Sequence, residues 1–144
     1  MRSKQSLIVV TGATGWIGKN ILEALQKKIP HHDFNSNVVP LASKEKIISS
    51  TGYKQHDSID IKVENFNIFP KLCKETKKIY LIHTAFLTKN YIKHRGINNY
   101  INTNEYITST ICNGLSCCQD YKIVDISSGA ASAFDKCDKK FTKK

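Results

Sequence analysis

A chain of 144 residues with 40% apolar content is long enough to bury a core of its own and too apolar to be disordered. No apolar run approaches the ~20 residues of a membrane-spanning helix, and MRSKQS leads straight into the first strand with no room for a signal peptide, so a cytoplasmic protein is expected. The net charge of +10 is mostly lysine, and Lys136–Lys144 alone carries five lysines against one aspartate. Residues 132–144 therefore read as a solvated basic tail, and the other lysines lack the interleaved aromatics of a nucleic-acid platform, so no nucleic acid and no membrane is expected as a partner. Cys73, Cys112, Cys117, Cys118 and Cys137 contain no C-x-x-C pair, and the histidines share no ligand spacing with them. Reduced, mostly buried thiols and no metal site follow.

Leu7–Val10 is an apolar, β-rich run that ends in a glycine-studded turn, T-G-A-T-G-W-I-G, with Gly12, Gly15 and Gly18 in register. A buried strand that stops at a tight turn and opens a helix presents main-chain N–H groups and a helix dipole to an anion. Gly12 permits the turn, Gly15 lets a diphosphate approach the backbone, and Gly18 lets the helix pack against the strand. With Thr14, Trp16 and Ile17 these residues form the candidate dinucleotide loop. Trp16, Ile17, Ile21, Leu22, Leu25 and Ile29 then mark one helix face, which Pro30 ends. His31–Asn37 reads as a polar connection, Val38–Ala42 as a second strand with Pro40 awkwardly inside it, and Ser43–Ser50 as a short helix. A short third strand ends near Ile59–Ile61. Phe66–Thr76 is helical with Pro70 near its start, Ile79–Ala85 is a strand, Asn98–Cys118 a long helix, and Lys122–Ile126 a fifth strand that turns out at Ser127–Ser128–Gly129.

Alternation of strands and helices predicts an α/β fold, a doubly wound parallel sheet of about five strands over residues 1–131. Ligands of such sheets lie at the carboxyl ends of the strands. Gly12–Gly18, His83–Ala85 and Ser127–Ser128 all fall there. At the end of the second strand no carboxylate stands where an NAD ribose would need one; Ser43 and Lys44 suit a 2′-phosphate instead, so of NAD and NADP the sequence leans to NADP.

These residues resemble the extended short-chain dehydrogenase/reductase family, specifically its NAD-dependent epimerase/dehydratase group. TGATGWIG is similar to the family's cofactor loop, His83–Thr84–Ala85 to the segment closing the fourth strand (with Phe86 in place of a second alanine), Tyr100–Asn102 to the helix carrying a structural asparagine, and Ile126–Ser128 to the strand end carrying the catalytic serine. The resemblance implies an NAD(P)-binding Rossmann fold, with Asp60–Ile61 beside the adenine, Ser128 or else Ser127 orienting a substrate oxygen, and Asn102 in support. It implies a nucleotide-sugar or other carbonyl or hydroxyl substrate, and a homodimer for a complete enzyme. The family's Tyr-x-x-x-Lys pair is not found, since no tyrosine follows Tyr121. The expectation is an N-terminal, cofactor-binding part that is inactive alone, or a non-catalytic dinucleotide-binding module.

Overall fold

The computed structural model describes residues 4–51 and 58–126. In chain order these form β1 (Lys4–Thr11), α1 (Trp16–Lys28), α2 (His31–Asn37), β2 (Val38–Ala42), β3 (Lys46–Thr51), β4 (Ser58–Asn65), α3 (Phe69–Glu75), β5 (Thr76–His83), α4 (Ile92–Arg95), α5 (Ile97–Ser116) and β6 (Asp120–Asp125), with single 3-10 turns at Phe66–Ile68 and Lys89–Tyr91. The strands make one sheet in the order β3-β4-β2-β1-β5-β6. Every pairing is parallel except β3 against β4.

Side chains of β1 seed both halves of the core. Leu7 and Val9 join Leu41, Ile79 and Leu81 on one face, where Phe69 and Cys73 of α3 and Ile111 of α5 cover them. Val10 joins Val38, Ala42, Ile61 and Val63 on the other, under Leu22 of α1 and Phe34 of α2. Strands apolar on both faces require helices on both, which is why they read as near-continuous apolar runs. Each fully buried Leu or Phe contributes about 1.5–3 kcal/mol.

Two local expectations change. The polar stretch His31–Asn37 is helix α2, not a connection: Pro30 both ends α1 and starts the new turn, with the Phe34 N–H bonded to the Pro30 carbonyl (2.8 Å), and the single apolar residue Phe34 anchors it. The segment expected as a helix over Ser43–Ser50 contains strand β3, which pairs with β4 from Lys46↔Val63 to Thr51↔Ser58 and brings the sheet to six strands. Ile47 and Ile48 are β-branched and suit a strand, where neighbours point to opposite faces: Ile48 packs on the core and Ile47 faces water. Pro40 is accommodated because β2 meets β4 only at Leu41↔Glu64 and Ala42↔Asn65, beyond the missing donor. Pro70 lies in the first turn of α3, as expected.

Of the described cysteines, Cys73 is buried and Cys112 and Cys117 are exposed. Burial, helped by the neighbouring Cys118 thiol, pushes the Cys73 thiol up to about 12, so it behaves as a small apolar side chain. Close packing of α3 on α5 depends on Gly114, where an added Cβ would stand 2.5 Å from the Phe69 ring. Gly114→Ala is expected to cost about 1–3 kcal/mol through overpacking, read as a lower urea midpoint with an unchanged slope.

Candidate functional site

The order of the sheet reverses at β1: chain that leaves toward β2 and β4 returns on the other side as β5 and β6. Such a reversal opens a crevice at the carboxyl ends of the strands. The crevice begins at Gly12, whose φ of +69° lies in the left-handed region. A Cβ there would also stand 2.6 Å from Thr84 Oγ1 and 2.9 Å from the Ala85 nitrogen. The turn is held from two sides: the Ala13 N–H donates to the Leu41 carbonyl (3.1 Å), and the Gly15 N–H to the Gly12 carbonyl (2.9 Å). Gly18 is buried against the Gly12 carbonyl, leaving no space for a Cβ.

Helix α1 starts from this turn. Its first bond runs from the Lys19 N–H to the Gly15 carbonyl (3.0 Å), so the N–H groups of Trp16, Ile17 and Gly18 precede the ladder, and no side chain caps them. They are positioned as anion donors.

The ends of β1 and β5 are joined by a polar seam. Thr84 Oγ1 donates to the Thr11 carbonyl (2.6 Å), and the Thr84 N–H to Thr11 Oγ1 (3.2 Å). Thr11 is fully buried, and its hydroxyl lies 2.7 Å from His83 Nδ1. A hydroxyl that accepts from Thr84 can turn its own proton to His83, which suits a neutral imidazole protonated at Nε2. Burial pushes the His83 pKa down, against a smaller upward pull from Asp125.

From the turn a cleft of about 490 Å³ extends between strand ends and helix α5. Gly12, Thr14 and Gly15 form one end, Ala42 and Ser43 come from the end of β2, Asn65–Asn67 from the end of β4, Thr84–Leu87 from the exit of β5, and Thr103, Tyr106 and Ile107 from α5. None of these side chains is charged. Asn104 pins the exit of β5 to α5: its Oδ1 accepts from the Leu87 N–H (2.8 Å) and its Nδ2 donates to the Leu87 carbonyl (3.3 Å). A second cavity, of about 500 Å³, lies past Leu87 and is faced by His83, Tyr100, Asn104, Cys112 and Asp125.

Gly12, Thr14, Gly15, Ser43, Thr84 and Ala85 therefore meet at one cleft, as their sequence positions predict. Trp16 is 81% exposed at the start of α1, Ile17 is half-buried behind it, and Lys44 is exposed beside Ser43 without lining the cleft. His83 faces the second cavity. Asp60 and Ile61 lie elsewhere: Asp60 accepts from Ser49 Oγ (2.9 Å), and Ile61 is in the core. Strand β4 runs on to Asn65, so Asn65 and Phe66 reach the cleft in their place. Asn102 is exposed, and the asparagine that ties the loop is Asn104. Its signal was present in the sequence, since Asn104 is the polar residue on the stripe Tyr100, Asn104, Ile107, Ile111. Ser127 and Ser128 lie outside the described residues, as does the basic tail.

A model of the NAD dependent epimerase/dehydratase family matches residues 8–143. The chain belongs to this family. Its fold is accordingly the Rossmann type, and membership in an NAD-dependent family makes a nicotinamide dinucleotide the cofactor class and redox chemistry of the oxidoreductase type its setting. Searches of curated proteins and of solved structures give no match. Among the described residues no helix is long and apolar enough to cross a membrane, and no cluster of His, Cys, Asp or Glu is suited to a metal ion.

The lowered His83 pKa makes a pH prediction for this family member. The unfolded chain binds a proton near the ordinary imidazole value of about 6.5, before the folded chain does. Stability due to His83 is thus complete above that value and is lost as the pH falls below it. His83→Asn keeps an acceptor for Thr11 but cannot titrate. Melting temperatures measured from pH 7.5 to 5 are expected to fall less steeply in the variant than in the wild type.

Proposed function

We propose that the cleft binds a nicotinamide dinucleotide, with its diphosphate on the N–H groups of Trp16, Ile17 and Gly18 and one ribose at Ser43. Gly15 carries this reading. Its φ of −75° and ψ of 167° are open to any residue, and an added Cβ would meet only the Gly12 carbonyl, at 3.2 Å. The conformation itself does not require glycine, although a Cβ would crowd the Gly12 carbonyl, whereas an anion approaching the backbone needs the space left bare. The uncharged lining supports main-chain dipoles as the local partners of the diphosphate, with the net charge of +10 drawing anions from solution. The absence of a carboxylate at the β2 edge of the cleft, with exposed Lys44 adjacent, supports NADP over NAD.

Bound there, the dinucleotide supplies hydride exchange. Family membership supports a nucleotide-sugar or related hydroxyl or carbonyl substrate, with Ser128, or Ser127 beside it, orienting the substrate oxygen; Asn104 fills the supporting role first assigned to Asn102. No tyrosine follows Tyr121, so these 144 residues carry no phenol and lysine pair for the proton transfer. This supports a coenzyme-binding part that does not turn over alone.

Two measurements test the reading. In calorimetric titrations NADP is expected to bind tighter than NAD, and Gly15→Asp to weaken both by at least about tenfold, the equivalent of one charged hydrogen bond lost. Asp is a good N-cap and complements the helix dipole, which offsets the crowding of the Gly12 carbonyl, so the variant should stay folded and melt close to the wild type. Failure of the wild type to bind either coenzyme would overturn the proposal. The purified chain is further expected to show no turnover of nucleotide sugars; measurable product would refute the assignment as a binding part only.

A further inference from the structure

The far end of α5 carries chemistry that the cleft does not use. Three thiols gather where this helix ends against α3: Cys73 inside the core, Cys118 packed against that core, and Cys117 exposed beside it. Cys73 Sγ faces the bare Cα of Gly114, where an added Cβ would stand 3.4 Å away. Cys118 comes four residues after Gly114, and its N–H donates to the Leu115 carbonyl (3.0 Å), which keeps it on the same side of the helix end. There the Cys118 side chain interacts with Cys73, and its thiol donates to the Asp120 carbonyl (3.1 Å).

The two thiols differ in access. Cys73 is 1% exposed, and burial beside Cys118 keeps its proton in place. Cys118 is half-buried on the short connection between α5 and β6, so a reagent meets it first, and a loop adjusts to a new bond more cheaply than a core helix does. Cys117 and Cys118 are poor partners for each other, because adjacent Cα atoms stand about 3.8 Å apart and a disulfide usually spans about 4.4–6.8 Å. We propose that Cys73 and Cys118 are a redox modification site, closed into a reversible disulfide by a low-molecular-weight disulfide that enters at Cys118. Cys118 gives its proton to solvent and its sulfur attacks the reagent, whose S–S bond breaks to release one small thiol. Cys73 then attacks the Cys118 sulfur, the mixed disulfide breaks, and the second small thiol leaves with a proton. Two protein thiols are oxidised by two electrons, and one small disulfide is reduced to two thiols. The bridge ties the end of α5 to α3, the helix pair whose contact sets one wall of the cleft. The proposal is independent of the dinucleotide reading.

The test equilibrates the full 144-residue chain in buffers of stepped ratio of reduced to oxidised glutathione, folded and in concentrated urea. Free thiols are then alkylated and the peptides mapped by mass spectrometry. In the folded chain Cys73–Cys118 should be the main internal bridge. It should be half-formed at a squared-thiol to disulfide ratio at least about tenfold higher than in urea, because the fold raises the effective concentration of the pair. Cys118→Ser, which leaves the core untouched, should abolish the bridge and leave Cys73 unmodified until the chain unfolds. Cys73→Ala should instead trap one glutathione on Cys118. A folded chain that bridges Cys117 to Cys118, that stops at a mixed disulfide, or that forms the Cys73–Cys118 bond no more readily than the unfolded chain would overturn the proposal.

Discussion

The approach of Gly12 to the Thr84–Ala85 backbone is what makes a binding cleft possible in this fold. With a Cβ at residue 12, the ends of β1 and β5 could not close to their observed separation, and the left-handed turn would be strained as well. Because the ends do close, Thr11 and Thr84 exchange hydrogen bonds, and the turn is aimed back under α1. The helix then begins at the mouth of the crevice, with its leading N–H groups at the same edge. Glycine here serves sheet geometry first, and that geometry decides where the helix starts.

The opposite wall is set by a different contact. Helix α5 leans on α3 through the bare Cα of Gly114 against the Phe69 ring, and Asn104 fixes the β5 exit to the same helix. Thr103, Tyr106 and Ile107 are carried into the cleft by that packing. Its width is thus decided in the first core cluster, away from any polar group that touches the cavity. The uncharged lining fits this arrangement: dipoles fixed by backbone packing do not screen or reorganise as mobile lysines would.

How much of this was readable from the chain depended on where the physical signal lay. The glycine turn, the strands β1, β2 and β5 and the two long helices follow from patterns local in sequence and stand within a few residues of where those patterns put them. Strand β3 was misread because a short stretch with two adjacent isoleucines and several polar residues carries no decisive period, and its pairing with β4 is a tertiary fact. Helix α2 hid behind a polar composition with one apolar anchor. Asp60–Ile61 missed the cleft because the end of β4 was set too early; the alternation Ile59, Ile61, Val63 continues the strand to Asn65. Asn102 was chosen for its place in a motif, and Asn104 does the bonding because it is the one on the buried stripe. The hydrogen bonds that run from Tyr106 to Asn67, Asn65 and Ser43 join α5, the 3-10 turn, β4 and the loop after β2, and no local pattern marks them.

The two halves of the expected chemistry separate along the sheet. Every group assigned to the dinucleotide lies between Gly12 and Ile107, on strands that are paired on both sides and covered by α1, α3 and α5. The proposed substrate serines follow β6 in sequence, and the six described residues of that strand are all exposed, with Tyr121, Ile123 and Val124 among them. That strand is held by its pairing with β5, by Lys78–Asp120 (2.5 Å) and by the bond from the Ile126 N–H to the His83 carbonyl (2.9 Å). An edge strand held by one neighbour opens more readily than a central one. Gly12, Gly15 and Ser43 draw none of their positioning from β6, since their contacts run to one another and to the ends of β4 and β5. The serines proposed for the substrate, Ser127 and Ser128, follow directly from β6 in sequence, so by that proposal the two sets of groups belong to elements of unequal support: the coenzyme groups to strands paired on both sides, the substrate groups to chain that follows a strand paired on one.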